Sequence, residues 1–181
     1  QQLAERGAPD AARLIANLIR FLRAATPALR DETATLAQEK ALVEAYLGIM
    51  RTRLGRRLEY AVHLPAPLER VVVPPGMLIT LVENAVKHGI EPSPGGGRVD
   101  VRIGFAADGR VELAVADTGA GLNGGAPAGQ GVGLANIRER LALLYGDAAA
   151  LELAANEPSG FVARILLPAA DSASATGASN P

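Results

Sequence analysis

The chain contains no cysteine and no tryptophan, and only two histidines. Without cysteine there are no disulfides, thiolate metal sites or cysteine nucleophiles, a pattern that fits a reducing compartment. Two histidines are too few for a multi-histidine metal site. Aromatic residues make up 3% of the chain against 49% hydrophobic residues overall, so Ala, Val and Leu must supply an aliphatic core of helices on a sheet. An excess of one charge is also missing: 18 Lys and Arg face 19 Asp and Glu, for a formal net charge of -1. Apart from Arg51, Arg53, Arg56 and Arg57, read as a solvated helix end, the basic residues are scattered. No electrostatic footprint for nucleic acid is visible, and no nucleic-acid partner is expected. No apolar run approaches the roughly 20 residues needed to span a bilayer, and the polar start Gln1, Gln2 resembles no signal peptide. A soluble piece without direct membrane contact is expected.

What is present, over 181 residues, is an alternation of two hydrophobic periods. Leu14, Ile15, Leu18, Ile19 and Leu22 recur at helical spacing, with Asp10 as the expected cap and Pro27 as the stop. Thr35 and Gln38 have capping-box spacing, and Leu36, Val43, Leu47, Met50 and Leu54 extend a second helical stripe to Gly55. From residue 57 the period becomes two: Leu58, Tyr60, Val62 and Leu64 alternate with Glu59, Ala61 and His63, predicting a half-buried strand with an exposed histidine. A helix over residues 75–89 follows, then strands over 98–105 and 110–116 joined by the hairpin signal Asp108-Gly109. After a loop rich in Gly and Ala over 117–131, Leu134, Ile137, Leu141 and Leu144 predict a helix closed by Gly146. Strands over 150–154 and 161–167 complete the pattern. Residues 1–56 are therefore expected to form a helical hairpin, 57–168 a globular domain, and 169–181 a disordered tail.

Three segments can carry chemistry. In the helix over 75–89, Met77, Leu78, Leu81, Val82, Ala85 and Val86 share one side, while Thr80, Glu83, Asn84, Lys87 and His88 share the other. An acid, an amide oxygen, an ammonium and an imidazole on one face can activate a nucleophile, ligate Mg2+ and meet phosphate oxygens; the same face would also serve as a solvated surface. Asp117 stands where a buried strand runs out into Thr118-Gly119-Ala120-Gly121, so its carboxylate can accept a hydrogen bond from the exocyclic amine of adenine, or form an ordinary turn. Gly129, Gly131 and Gly133 precede the helix that begins near Leu134, where free N–H groups can meet phosphate. Neither a dinucleotide fingerprint nor a P-loop is present. Arg138 and Arg140 can reach phosphates, although at least one is expected to pair with Glu139 or the sheet edge.

In order, Leu81-Val82-Glu83-Asn84-Ala85-Val86-Lys87-His88-Gly89, Val115 to Gly121, and Gly131-Val132-Gly133-Leu134-Ala135-Asn136-Ile137-Arg138-Glu139-Arg140-Leu141 resemble the N, G1 and G2 boxes of the gyrase, heat-shock chaperone, histidine kinase and MutL ATPase superfamily. The closing Asn136 to Gly146 and the stretch from Thr35 through Tyr46, Leu47 and Arg53 resemble the LytS-type sensor histidine kinases. The resemblance implies an α/β (α+β) two-layer sandwich of the Bergerat type, with a mixed sheet covered by helices on one face. It implies ATP and Mg2+ as cofactors, with Asn84 as metal ligand, Glu83 orienting or activating the reacting groups, and Lys87 and His88 near the phosphates. Asp117 would read the adenine amine, Gly119 and Gly121 would line the base pocket, the loop to Gly133 would be the ATP lid, and Gly131, Gly133 and Leu134 would contact the nucleotide. A response regulator and a homodimer of the parent protein are the implied partners, on the cytoplasmic side of a membrane-anchored parent. The family's phosphoacceptor box is expected ahead of residue 11 and is not seen, so the γ-phosphoryl is expected to pass to a histidine upstream, and the chain alone is expected not to autophosphorylate. An ATP-binding regulatory module and an anti-sigma-type serine kinase or ATPase are alternatives on the same fold.

Overall fold

The structure, a computed structural model, describes residues 2–28, 31–121 and 132–169. Gly131 and all but the first residue of the expected disordered tail lie outside these. In chain order the elements are α1 (Gln2–Ala28), β1 (Ala34–Thr35), α2 (Leu36–Leu54), β2 (Leu58–His63), β3 (Val72–Val73), α3 (Met77–Asn84), β4 (Gly97–Phe105), β5 (Val111–Asp117), α4 (Val132–Tyr145), β6 (Ala150–Ala155) and β7 (Phe161–Leu167). A π-helical turn, Ala85–Ile90, continues α3 directly.

The main sheet has the order β2-β4-β5-β7-β6, with β2 parallel to β4 and the other neighbours antiparallel. Its register aligns Val62, Val101, Val115, Ala163 and Leu153 in one row. Because side chains alternate across a strand, that row and its parallels face the helices, while Asp100, Arg102, Glu112 and Arg164 occupy the opposite face. The mixed sheet covered by helices is the expected two-layer α/β arrangement. The small antiparallel pair β1 and β3 was not foreseen, since two residues per strand are too few to show a period.

The core runs from Leu36, Val43, Leu47 and Met50 of α2, through Leu78, Leu81 and Val82 of α3 and Leu134, Ile137 and Leu141 of α4, to Val101, Leu113 and Ile165 of the sheet. Burying each such side chain contributes roughly 1.5–3 kcal/mol. The helical hairpin also forms as expected: Phe21 of α1 stacks on Tyr46 of α2 with ring centroids 6.4 Å apart. A Cβ on Gly48 would lie 3.2 Å from the Asn17 side chain, so the two helices approach closely there. Leu14, Ile15, Leu18, Ile19 and Leu22 remain 41–58% exposed on the far side of α1.

Three local expectations are corrected. The first helix starts at Gln2 and holds Asp10 in its interior, because Gln2 to Arg6 are good helix formers that carry the turn structure upstream. The second correction concerns the arginine group: Arg51, Arg53 and Arg56 are exposed at the helix end as expected, but three of the four arginines also make contacts. Arg51 donates to the Leu58 carbonyl, Arg53 pairs with Glu91, and Arg57 donates to the carbonyls of Glu91 and Ser93 at 3.0 and 2.7 Å. Third, α3 begins at Met77, since Gly76 takes φ 81° and breaks the helical path from Pro75.

Helix α2 starts in a complete capping box: the Thr35 hydroxyl accepts from Gln38 N at 3.2 Å, and Gln38 Oε1 accepts from Thr35 N at 2.7 Å. Thr35→Ala removes the first of these bonds, and a loss of about 1 kcal/mol is expected in urea unfolding.

Candidate active site

Helix α3 buries Met77, Leu78, Leu81 and Val82, and its π extension buries Ala85, Val86, Gly89 and Ile90. The apolar side predicted from periodicity is therefore the buried side. Thr80, Glu83, Asn84, Lys87 and His88 stand together on the more open side. The Thr80 hydroxyl donates to the Gly76 carbonyl at 2.7 Å, and Asn84 Nδ2 donates to the Thr80 carbonyl at 2.9 Å. With its amide nitrogen tied back to its own helix, Asn84 presents Oδ1 as an acceptor. Neighbouring residues desolvate the Glu83 carboxyl and raise its pKa above the usual carboxylate value, while the Lys87 ammonium opposes the shift. Tyr46 of α2 lies in the same environment: burial, reinforced by the Glu83 charge, pushes its phenol up to about 12.

The π turn was not foreseen, because its periodicity departs from that of an α-helix for only six residues. Its consequence is spatial. Glu91 N reaches back five residues to the Val86 carbonyl at 2.9 Å, and the widened turn brings Gly89 against β5. A Cβ on Gly89 would lie 2.4 Å from Asp117 Oδ1, and one on Gly119 would lie 2.1 Å from the Gly89 carbonyl oxygen. The same Gly89 carbonyl accepts from Ala120 N at 2.9 Å. Only glycine fits at these two contacts.

Asp117 ends β5 and is paired in register with Val99 on one side and Phe161 on the other. It faces the helices and is 2% exposed. Its Oδ1 accepts from Gly119 N at 2.9 Å, and the Phe161 backbone also donates to the carboxylate. Burial outweighs these donors and raises the Asp117 pKa. The backbone of Asp117 is fixed from the β6–β7 turn, where Asn156 Nδ2 donates to its carbonyl at 2.7 Å and Gly160, at φ 109°, closes on the same oxygen. Gly89, Asn156 and Gly160 are thus supporting residues that sequence reasoning missed; Asn156 and Gly160 showed only a turn signal.

Asn84, His88, Asp117, Gly121 and Leu134 line one cavity, whose other walls include Leu81, Ala85, Val115, Phe161 and Ala163. It is an apolar slot with a carboxylate at its base and an amide and imidazole at its rim, suited to a flat ring carrying an amine donor. Glu83 and Lys87 lie on the same helix beside it. Gly119 holds the Asp117 carboxylate, and Gly133 starts α4 close to α3, where a Cβ would lie 2.9 Å from the Thr80 methyl. Arg140 reaches neither Glu139 nor the sheet edge: its Nη1 donates to the Pro75 carbonyl at 2.8 Å, and Arg138 is exposed. Among the described residues no three His, Asp or Glu side chains cluster to hold a metal, so a divalent cation would rely on Asn84 Oδ1 together with ligand phosphates, as Mg2+ commonly does.

Three expectations follow from this geometry. Gly89→Ala puts a methyl group into the Asp117 carboxylate and is expected to destabilise the fold by about 1–3 kcal/mol in urea unfolding. Gly104→Ala, where nothing lies within 4 Å of the added carbon, is expected to stay within about 0.5 kcal/mol of the parent. For Glu83, carboxyl-carbon NMR titration is expected to give a pKa above 4.5, moving further up in Lys87→Met because the opposing charge is gone. The proton-accepting carboxylate is then lost as pH falls through that raised value.

Residues 76–171 match the family described as Histidine kinase-, DNA gyrase B-, and HSP90-like ATPase, and residues 1–58 match the family described as Histidine kinase. The sensor histidine kinase YpdA of Escherichia coli (strain K12) is 34% identical over 149 residues, which cover 77% of this chain and 26% of that protein. The sensor protein LytS of Staphylococcus haemolyticus (strain JCSC1435) is 30% identical over 158 residues, covering 81% of this chain and 27% of that protein. The chain therefore spans about a quarter of the length of these relatives. The histidine kinase domain of the blue-light activated histidine kinase from Erythrobacter litoralis EL346 shares the fold, with TM-score 0.53 at 19% identity over 92% of this chain and 82% of that one. With its three boxes gathered around one cavity and its sequence matched along most of its length, the chain belongs to the histidine kinase-, DNA gyrase B-, and HSP90-like ATPase family, as a homologue of the ATP-binding region of sensor histidine kinases.

Proposed function

We propose that this chain binds Mg2+–ATP in the slot above Asp117 and serves as the catalytic part of a sensor histidine kinase. The observation that carries the reading is the buried Asp117 carboxylate, facing an apolar cavity whose rim is formed by Asn84 and His88 of the adjoining helix. A carboxylate in such a slot selects a ring with an exocyclic amine over one with a carbonyl, because the carbonyl would leave it without a donor. Gly121 lines the slot beside the ring while Gly119 holds the Asp117 carboxylate, and Leu134 closes the slot from α4. Gly131 and Gly133 belong to the lid.

At the phosphate end, Asn84 Oδ1 would hold Mg2+, whose charge would offset that of the phosphoryl group, and Lys87 and His88 would meet phosphate oxygens. Glu83 orients the acceptor or takes its proton, a role its raised proton affinity suits. The catalytic unit spans residues 57–168, joined to the helical region of residues 1–56 through α2. Exposed on an outer strand, His63 stands away from the slot, and His88 belongs to the nucleotide face. The acceptor is therefore a histidine of the parent protein upstream of these residues, from which a response regulator takes the phosphoryl group in a homodimeric, cytoplasmically placed kinase. No described helix is long and apolar enough to cross a membrane.

Calorimetric titration tests the reading. Mg2+–ATP is expected to bind and Mg2+–GTP to bind much more weakly, with Asp117→Asn weakening ATP by roughly ten- to a hundredfold through loss of a charge-assisted hydrogen bond. Failure of the folded chain to bind Mg2+–ATP would sink it. With γ-labelled ATP, the chain alone is expected to retain no label.

A further inference from the structure

Helix α3 and the π turn that continues it carry every polar residue assigned to the phosphate end of the site, yet α3 cannot cap itself. Its N-cap is Gly76, which has no side chain to accept from the first-turn N–H groups. The acceptor comes from another element. Glu39 of α2 is 1% exposed, and its carboxylate reaches across to the start of α3. Oε1 accepts from Gly76 N at 2.7 Å and Oε2 accepts from Leu78 N at 2.9 Å. Arg140 of α4 faces the same carboxylate while its Nη1 holds the Pro75 carbonyl at 2.8 Å. One carboxylate of α2 therefore holds the point where α3 begins, with the charge of Arg140 from α4 nearby.

We infer that Glu39 is a positioning residue of the nucleotide site: by accepting from Gly76 and Leu78 it fixes where α3 starts, and hence where Glu83 and Asn84 stand relative to α4. The inference rests on the nucleotide reading above and adds a residue from outside the three boxes. The first turn of α3 acts on Asn84 by leverage. Asn84 is eight residues beyond Gly76, about 12 Å along the helix, and over that length α3 behaves as a rod. A shift in the first turn is carried to Asn84, and it changes how Thr80 meets Gly133 of α4, which approaches so closely that a Cβ there would lie 2.9 Å from the Thr80 methyl. A buried carboxylate retained only for packing would be replaced without loss by an apolar side chain of similar volume, because burying the charge disfavours the fold. A cap cannot be so replaced.

Glu39→Leu, Glu39→Gln and the unaltered chain separate these cases, with Mg2+–ATP affinity by calorimetry, amide exchange of α3 by NMR, and thermal midpoint read together. In Glu39→Leu, exchange from Leu78 to Asn84 is expected to quicken and Mg2+–ATP affinity to fall by about tenfold or more while the chain stays folded. Glu39→Gln, which keeps one carbonyl acceptor, is expected to recover part of both. A folded Glu39→Leu with Mg2+–ATP affinity within about twofold of the parent and unchanged α3 exchange overturns the inference. If Glu39→Leu does not fold, Glu39→Gln decides, and parental exchange at both Gly76 and Leu78 overturns it. Failure of the nucleotide reading is visible separately, as an unaltered chain that binds no Mg2+–ATP; the α3 exchange rates then decide whether Glu39 sets that helix.

Discussion

The constraint on which the rest of the structure depends is the burial of a carboxylate, Asp117, at the end of a central strand. A buried charge is tolerated only where donors surround it, and two backbone N–H groups, from Gly119 and Phe161, supply that here. Bringing them in requires the chain to turn sharply after Asp117 and the neighbouring helix to end flush against it. Gly89 and Gly119 lack side chains for that reason, and the π turn exists where an ordinary α turn would place Gly89 elsewhere. The cavity is a by-product of this arrangement: the polar end of the helix and the apolar end of the sheet meet around one acceptor that the protein alone satisfies only in part.

A second buried carboxylate, Glu39, solves the opposite problem at the other end of the same helix. There the unsatisfied groups are N–H donors, and an anion is favoured by them and by the helix dipole together. In both cases desolvation pushes the pKa up while backbone donors pull it down, and the two sites differ in what remains to be filled. Glu39 is closed over by α3 and α4, whereas Asp117 opens on a slot. The same chemistry is structural where it is enclosed and available to a ligand where it is not.

How much of this was legible in the sequence depends on whether a residue acts through period and punctuation or through distant contact. The polar face of α3 was readable because Thr80, Glu83, Asn84, Lys87 and His88 break an otherwise apolar stripe at helical intervals. Asp117 was readable because a strand of alternating apolar residues ends on it and glycines follow. Glu39 was not: it sits in the first turn of α2, where an acidic residue is ordinary, and its partners are 37 and 39 residues away. The contacts of Arg51, Arg53 and Arg57 were not legible for the same reason, since a cluster of charges looks only solvated until the groups it reaches are known. Asn156 and Gly160 looked like a turn, which they are; that the turn also grips the Asp117 backbone follows only from the pairing of β5 with β7.

These contacts assign α2 a particular mechanical place. Glu39 holds the first turn of α3, Tyr46 lies near Glu83, and Arg53 pairs with Glu91 just beyond the π turn. Between these points Val43, Leu47 and Met50 share a core with Leu78, Leu81 and Val82. Helix α2 is thus joined by a buried carboxylate to the start of α3, packed on it along the middle, and tied by an ion pair to the segment just after the π turn. Helix α1, in contrast, touches this assembly through α2, at Asn17 and Phe21, and leaves its other apolar side open. Helix α2 therefore stands between α1 and the helix that carries Glu83 and Asn84, the two residues on whose placement the proposed chemistry depends most.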